Sequence, residues 1–288
     1  GRKVAIFDKY IVISDPNETS DTGGLNEKNA AGSVYIFELN ANGIWDYKQK
    51  IVASDRSSLD LFGSAIGVNK EYIAVGAFQA NADTNLIASG KTYLFKKNLI
   101  GNWEEVQKIQ ASDKEANDWF GFSVSLSENR LAIGAPFEDE NTLNSDSVQG
   151  AGSVYIFKLN TSGKWVEEQK IIASDRAKDD LFGLSISVDG DFLAVGAPLE
   201  EDFDYRGFQS KGAVYMFRKN NANIWIETQK VISSDRSSGD VFGYNIDLYD
   251  SFLAVGTAAE DHDASGVNFL NSSGSGYLFK LNPSQIKK

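Results

Sequence analysis

The sequence predicts an all-β fold, a β-propeller of four-stranded antiparallel blades. Three observations predict it. Phe-Gly recurs as Phe62-Gly63, Phe120-Gly121, Phe182-Gly183 and Phe242-Gly243, at spacings of 58, 62 and 60 residues. Trp45, Trp103, Trp165 and Trp225 keep the same period, as do the Ser-Asp pairs at 54–55, 112–113, 174–175 and 234–235. Within each period, short Val-, Ile-, Tyr-, Phe- and Trp-rich runs alternate with Gly, Asn, Asp and Ser, which is the signature of strands and hairpins.

The third copy shows the unit most clearly. Residues 122–126 (FSVSL) form a first strand, and the turn at 127–129 leads into a second, 130–135 (RLAIGA). A long polar loop precedes the third strand, 153–159 (SVYIFKL). A turn with Asn160 and Gly163 precedes the fourth, 165–172 (WVEEQKII). The second and third strands are apolar on both faces, as strands sandwiched between sheets are. The fourth carries Glu167, Glu168, Gln169 and Lys170, and charges of this kind blunt an exposed sheet edge. Sheets stacked face to face in this way make a propeller.

The whole chain, 1–288, reads as one propeller domain with repeats at 1–60, 61–118, 119–180, 181–240 and 241–288. The first repeat lacks its Phe, and Gly1 stands as the Gly of that pair. The fifth stops after residues 277–281, without a Trp strand. The units either close a five-bladed ring with one three-stranded blade or belong to a larger ring. The apolar faces that an open ring exposes favour closure.

Composition removes several function classes. The net charge of −12 opposes nucleic-acid binding, which calls for a basic patch. Cysteine is absent, and His262 is the single histidine, so thiolate chemistry and His-rich zinc sites are excluded and a Ser-His-Asp arrangement would have to use His262. No apolar run is long enough to span a membrane. No signal-peptide core follows Gly1-Arg2-Lys3, so any export signal was removed or never present.

In an antiparallel blade the connections alternate sides. The one-to-two and three-to-four turns share one face; the long two-to-three loops and the blade linkers share the other. The long loops are the expected functional face, and they are acidic. The candidates for a binding face are Trp119, Glu138, Asp139, Glu140, Glu200, Glu201, Asp202, Asp204, Glu260, Asp261 and Asp263. Clustered loop carboxylates suit Ca²⁺, a hard cation taking ~6–8 oxygens, so Ca²⁺ is the candidate cofactor. Its candidate ligands are Asp15, Asp21, Asp83, Asp139, Asp202, Asp204, Asp261 and Asp263. The competing reading is a set of solvated loops that maintain solubility. The linker residues Asp55, Asp60, Asp113, Asp118, Asp175, Asp180, Asp235 and Asp240 recur at fixed places, which suits turn capping. Arg56, Arg176 and Arg236 follow three of these Asp residues, with Lys114 in the equivalent place. The four periodic Trp residues suit blade packing. Trp119 instead stands beside Phe120 where other copies carry Leu61, Leu181 and Val241, which marks it as a contact residue.

Phe-Gly followed by Gly-Ala-Pro, at 120–121 with 134–136 and at 182–183 with 196–198, resembles the FG-GAP repeat family, which includes the integrin alpha-subunit head. Degenerate copies lie at 14–16, 76–78 and 256–258. The closing Gly-x-Val-Tyr at 32–35, 152–155 and 212–215 also matches. Residues 169–175 (QKIIASD) are similar to the microbial branch, so the resemblance implies an extracellular or cell-surface recognition role and a protein or glycan partner. It also implies membership of a larger polypeptide or assembly. Integrin-type units hold calcium between the first and second strands. Here that connection is a tight turn such as 127–129, and family rings are typically seven-bladed. Three functions follow as expectations: a non-catalytic binding or scaffold module, a carbohydrate-binding propeller, and a glycoside hydrolase using two carboxylates ~5–9.5 Å apart. The sequence singles out no such pair.

Overall fold

The computed structural model describes residues 1–82, 86–143, 145–200, 210–261 and 273–281. These hold strands and turns and no helix. The first sheet is β1 (Val4–Phe7), β2 (Tyr10–Asp15), β3 (Ser33–Leu39) and β4 (Trp45–Ile51). The second is β5 (Ala65–Val68), β6 (Tyr72–Ala77), β7 (Lys91–Lys97) and β8 (Trp103–Ile109). The third is β9 (Ser123–Leu126), β10 (Arg130–Ala135), β11 (Ser153–Leu159) and β12 (Trp165–Ile171). The fourth is β13 (Ser185–Asp189), β14 (Phe192–Ala197), β15 (Ala213–Lys219) and β16 (Trp225–Val231). The fifth has three strands, β17 (Asn245–Tyr249), β18 (Phe252–Thr257) and β19 (Ser275–Lys280). Neighbours in sequence are neighbours in every sheet, so each is a meander, the blade of a β-propeller. The chain forms two compact units, 1–133 with 157–167 and 134–156 with 168–288, and their boundary falls within the third blade.

Burial follows the expected order. Every residue of β6 and β10 is buried, whereas β8 alternates along its length. The periodic tryptophans open the outer strands, and Trp103, Trp165 and Trp225 are buried. Trp103 meets Tyr10 of the preceding blade edge-on at 5.6 Å, and Trp165 meets Tyr72 at 5.4 Å. Their role is packing between blades.

Adjacent blades within a unit share three recurring contacts. The first is reciprocal. Gln49 donates from Nε2 to the Trp103 carbonyl (2.9 Å) and accepts from the Trp103 N–H at Oε1 (2.8 Å). Gln107 does the same to Trp165, and Gln169 to Trp225. A β-bulge between β3 and β4, repeated between β7 and β8, sits just before this Gln, a place where bulges re-aim side chains. Second, Ser54 gives its N–H and hydroxyl to Glu105; Ser112 and Ser174 repeat this with Glu167 and Glu227.

The third contact is between backbones. A Cβ built on Gly76 would lie 2.0 Å from the Gly121 carbonyl oxygen, and one on Gly196 would lie 2.2 Å from that of Gly243. Thus the Gly of Gly-Ala-Pro lies against the Gly of the next Phe-Gly. Similarly, Gly90 lies against the Phe120 backbone, so close that a Cβ would fall 1.9 Å from its oxygen. Close backbone approach of this kind leaves room only for glycine.

The Gln clamp is open to a direct test. Gln107→Ala removes two hydrogen bonds and leaves the Trp165 N–H without its acceptor. At ~0.5–1.5 kcal/mol for each bond, it is expected to lower unfolding stability by about 1–3 kcal/mol, measured by urea denaturation.

Candidate functional site

The long loop after each second strand is built on one plan. Three residues past the strand stand Glu18, Glu138, Glu200 and Glu260, with Ala80 in the second blade. The carbonyl of this residue accepts from the N–H of a Gly just before the third strand: Gly32, Gly90, Gly152, Gly212 and Gly274. The loop base is thereby closed. Where a Glu is present, its carboxylate turns into the blade. Glu138 is fully buried, accepts from the Tyr155 hydroxyl at 2.8 Å and lies 3.1 Å from Lys170 Nζ. Glu18 accepts from the Tyr35 hydroxyl at 2.8 Å. Hydrogen bonds from the Ser20 N–H, then from the Ser20 and Tyr35 hydroxyls, hold its carboxyl down at about 2.

A second carboxylate comes from the linker entering the same blade. Asp55 accepts from the Tyr93 hydroxyl at 2.9 Å, Asp175 from Tyr215 at 2.7 Å and Asp235 from Tyr277 at 2.7 Å. Burial, followed by these carboxylates, pushes the three tyrosines up from their ordinary values. In the second blade, where Ala80 supplies no carboxylate, Asp55 also takes Lys91 (3.0 Å) and Lys108 (3.2 Å). In the fourth blade Lys230 bridges Asp175 and Glu200.

The linker arginines reach back to the loop of the preceding blade. Arg56 donates to the Thr19 and Asn26 carbonyls, both at 2.6 Å. Arg176 donates to the Asp139 carbonyl and to Asp146, and Arg236 to the Glu200 carboxylate. The remaining recurring linker acids cap turns. Asp60, Asp118, Asp180 and Asp240 accept from the N–H of Ser57, Glu115, Ala177 and Ser237.

This arrangement corrects the placement of three expected face residues. Glu138, Glu200 and Glu260 are buried inside their blades, because the Tyr hydroxyl or the Lys and Arg groups there satisfy a carboxylate that solvent would otherwise hold. Asp139 and Glu140 are half-buried, and Asp139 accepts from the Gly150 N–H at 2.6 Å. Asp15 accepts from the Asn17 N–H, and Asp21 folds its own loop by accepting from Gly23, Leu25 and Asn26. Asp261 is half-buried. Asp83, Glu201, Asp202, Asp204, His262 and Asp263 lie outside the described residues. Trp119 is half-buried, at φ +60°, stacked on Phe122 (centroids 5.9 Å apart) and tilted against Phe78 (4.9 Å). Sequence reading singled out Trp119 but missed its partners Phe78 and Phe122 and the tyrosines. The signal was present for both: Phe78 replaces the Pro of Gly-Ala-Pro in one blade alone, and a Tyr closes each Gly-x-x-Tyr.

The FG-GAP repeat family matches the chain at residues 45–95, 103–157, 165–217 and 225–279, more than half its length. The chain belongs to the FG-GAP repeat family. Each FG-GAP match starts at an outer-strand Trp and ends in the third strand of the following blade. The family unit therefore straddles two blades, and the Gly–Gly and Gln–Trp contacts join one unit to the next. FG-GAP propellers serve generally as binding or scaffold modules, and their repeats are common in extracellular and surface proteins. No helix among the described residues is long and apolar enough to cross a membrane.

The calcium position of integrin-type FG-GAP units does not fit these residues. The turn at 69–71 is closed by Asn69, whose Oδ1 accepts from the Glu71 and Tyr72 N–H groups. Its Nδ2 donates to the Ser127 and Glu128 carbonyls of the next blade. Among the described residues no three His, Cys, Asp or Glu side chains converge as a metal cluster would.

A hydrolase reading of this FG-GAP chain would seek a raised carboxyl beside a second one. Asp240 beside Glu260 has that form, its carboxyl pushed up to about 6 by burial and then by Glu260. Asp180 is also pushed to about 6, and so is Asp60, whose blade carries Ala80 where the fifth blade carries Glu260. The shift thus comes from burial in a repeated turn and marks no single site.

These shifts carry a pH prediction. A carboxyl raised when folded binds protons that the unfolded chain releases, so its contribution makes stability rise as pH falls from 7 through 6 towards 4. Below that, Glu18, ordinarily near 4.5, must be protonated, and stability falls towards pH 2. Melting temperature is therefore expected to peak between pH 4 and 6. The Asp180→Asn variant should gain less than the parent between pH 7 and 5, as read by calorimetry.

Proposed function

We propose that the chain is a non-catalytic recognition module of an extracellular or cell-surface protein, and that it binds a protein partner through the face carrying its long loops. One observation supports this above the others. The repeating carboxylates are spent on folding the loops and fastening them to the blades, whereas the features that occur once, such as the Trp119–Phe78–Phe122 trio, lie at the loop side. Aromatic anchors surrounded by ordered loops are what protein-binding faces present. The exposed loop acids Glu27 and Asp146 favour a partner with a basic surface. The test is binding of the intact chain to a panel of extracellular proteins. A protein ligand is expected whose affinity falls at least tenfold in Trp119→Ala while the melting temperature holds. Unchanged affinity in that variant contradicts the assignment of the face.

A second reading, carbohydrate binding, is favoured by a groove of about 470 Å³ between the third and fourth blades. Thr142, Asp146, Arg176, Phe217, Trp225 and Glu227 line it, an inter-blade mixture of aromatic, acidic and basic groups. On a glycan array this reading predicts a ligand lost in Asp146→Ala and retained in Trp119→Ala.

A further inference from the structure

The turn between the third and fourth strands has one design in four blades. Asn40, Asn98, Asn160 and Asn220 open it, and each side-chain Oδ1 accepts from the backbone N–H groups two and four residues on. An Asn that folds its own turn in this way makes an Asx turn. The other end of the amide is where the copies differ. Asn40 donates from Nδ2 to Asp46 at 2.8 Å, and Asn98 donates from Nδ2 to Glu104 at 2.6 Å. These acids directly follow the Trp of the fourth strand. Val166 and Ile226 hold that place in the third and fourth blades.

A second feature sets Asn160 apart. The residue two places on is Ser162, where the other turns carry Asn42, Ile100 and Ala222. The Ser162 hydroxyl donates to Asn160 Oδ1 at 2.7 Å, beside the Ser162 N–H at 3.0 Å and the Lys164 N–H at 2.9 Å. Among the described residues nothing accepts from Asn160 Nδ2. Residues 160–164 are all exposed, and a Cβ built on Gly163 meets nothing within 4 Å. The turn thus presents an uncommitted carboxamide nitrogen in open space, on a carbonyl held by three hydrogen bonds.

We infer that Asn160 is a modification site, the acceptor of an N-linked glycan. Asn160-Thr161-Ser162 is an Asn-x-Ser/Thr triplet whose middle residue is not Pro. In the transfer, Nδ2 forms a bond to the anomeric carbon of an activated sugar, supplied as a lipid-linked glycosyl diphosphate. The bond from that carbon to the diphosphate breaks, the diphosphate leaves with the electron pair, and Nδ2 gives one proton to a base on the transferase. Hydrogen bonds to Oδ1 draw charge from the amide nitrogen and acidify the proton that leaves. The folded chain also accommodates the product. A glycan is bulky and solubilising and belongs at the surface, and at Asn160 it meets a nitrogen tied to no carboxylate.

Two other triplets of this kind are present. Asn17-Glu18-Thr19 lies in the neck of the first long loop, where Thr19 is half-buried and its carbonyl accepts from the Lys28 N–H and from Arg56. Asn271-Ser272-Ser273 begins outside the described residues. The turn at Asn160 carries no tie of the kind that holds Thr19. Asn160 and the Trp119–Phe78–Phe122 trio belong to the same compact unit, Asn160 in a tight turn and the trio at the long loops, so a glycan here leaves the proposed recognition face open. Modification at Asn160 rests on the extracellular reading above, since such acceptors are surface positions of secreted proteins.

The test is translation of the full 288-residue chain into microsomes behind a heterologous export signal, followed by peptide mass spectrometry of the protease-protected product. The peptide containing Asn160 is expected to carry a glycan that an N-glycan amidase releases, leaving an aspartate in its place. Asn160→Gln and Ser162→Ala should each lose this glycan, Ser162→Thr should keep it, and Asn17→Gln should leave it unchanged. Ser162→Ala removes only the hydroxyl and keeps both backbone bonds of the turn, so its loss reports on the acceptor rather than on folding. The added signal supplies entry, so a failure here counts against the acceptor alone, whereas the binding panel tests the recognition reading. A protected chain unmodified at Asn160, or a Ser162→Ala chain modified as fully as the parent, overturns the proposal.

Discussion

The structure depends on a place where two backbones meet with no side chain between them. The Gly of Gly-Ala-Pro in one blade sits against the Gly of the next Phe-Gly, so close that a methyl group on Gly76 or Gly196 would overlap a carbonyl oxygen. This contact fixes the spacing of neighbouring sheets. The Phe beside it fills the space that remains, and Phe62, Phe120, Phe182 and Phe242 are all fully buried. The Gln–Trp clamp and the Ser–Glu pair then hold the outer strands of the same neighbours in register. The recurring residues of the motif thus lie at the joints between blades, where one repeat meets the next.

A rigid stack of this kind gives the loops a fixed base, and the acidic residues complete it. Burying a carboxylate is expensive unless it is paired, and each buried Glu finds its own Tyr, Lys or Arg within the blade or its linkers. The loops are closed at their necks by Glu18, Glu138, Glu200 and Glu260 and gripped from outside by the linker arginines. What remains at the loop side is individual to each blade, and the recognition we propose rests on those individual features rather than on the repeat.

Much of the fold was legible in the sequence because the repeat displays it several times over. Strand order, the sandwiched middle strands and the edge character of the Glu-Glu-Gln-Lys strand follow from period and alternation alone. The strands of the third copy differ from expectation by one residue, at Ser123 and at Ile171. The carboxylates were less legible. Glu138 and Glu140 are both acids in a polar loop, yet one is fully buried against Tyr155 and the other is half-buried. Composition cannot separate them, since only the partner in the third strand decides. The role of Gln169 was hidden for a similar reason: it looks like another polar edge residue until the Trp225 backbone is seen opposite.

The most direct measurement is the urea stability of two alanine variants at one repeat position. Gly196 lies against the Gly243 carbonyl, whereas among the described residues a Cβ on Gly256 would meet only Asn245 of its own blade. If the backbone contact organises the stack, Gly196→Ala loses ~1–3 kcal/mol or more, as forced overpacking does, and Gly256→Ala changes stability by less than ~0.5 kcal/mol, as an ordinary surface substitution does. Equal losses at the two positions would contradict the account.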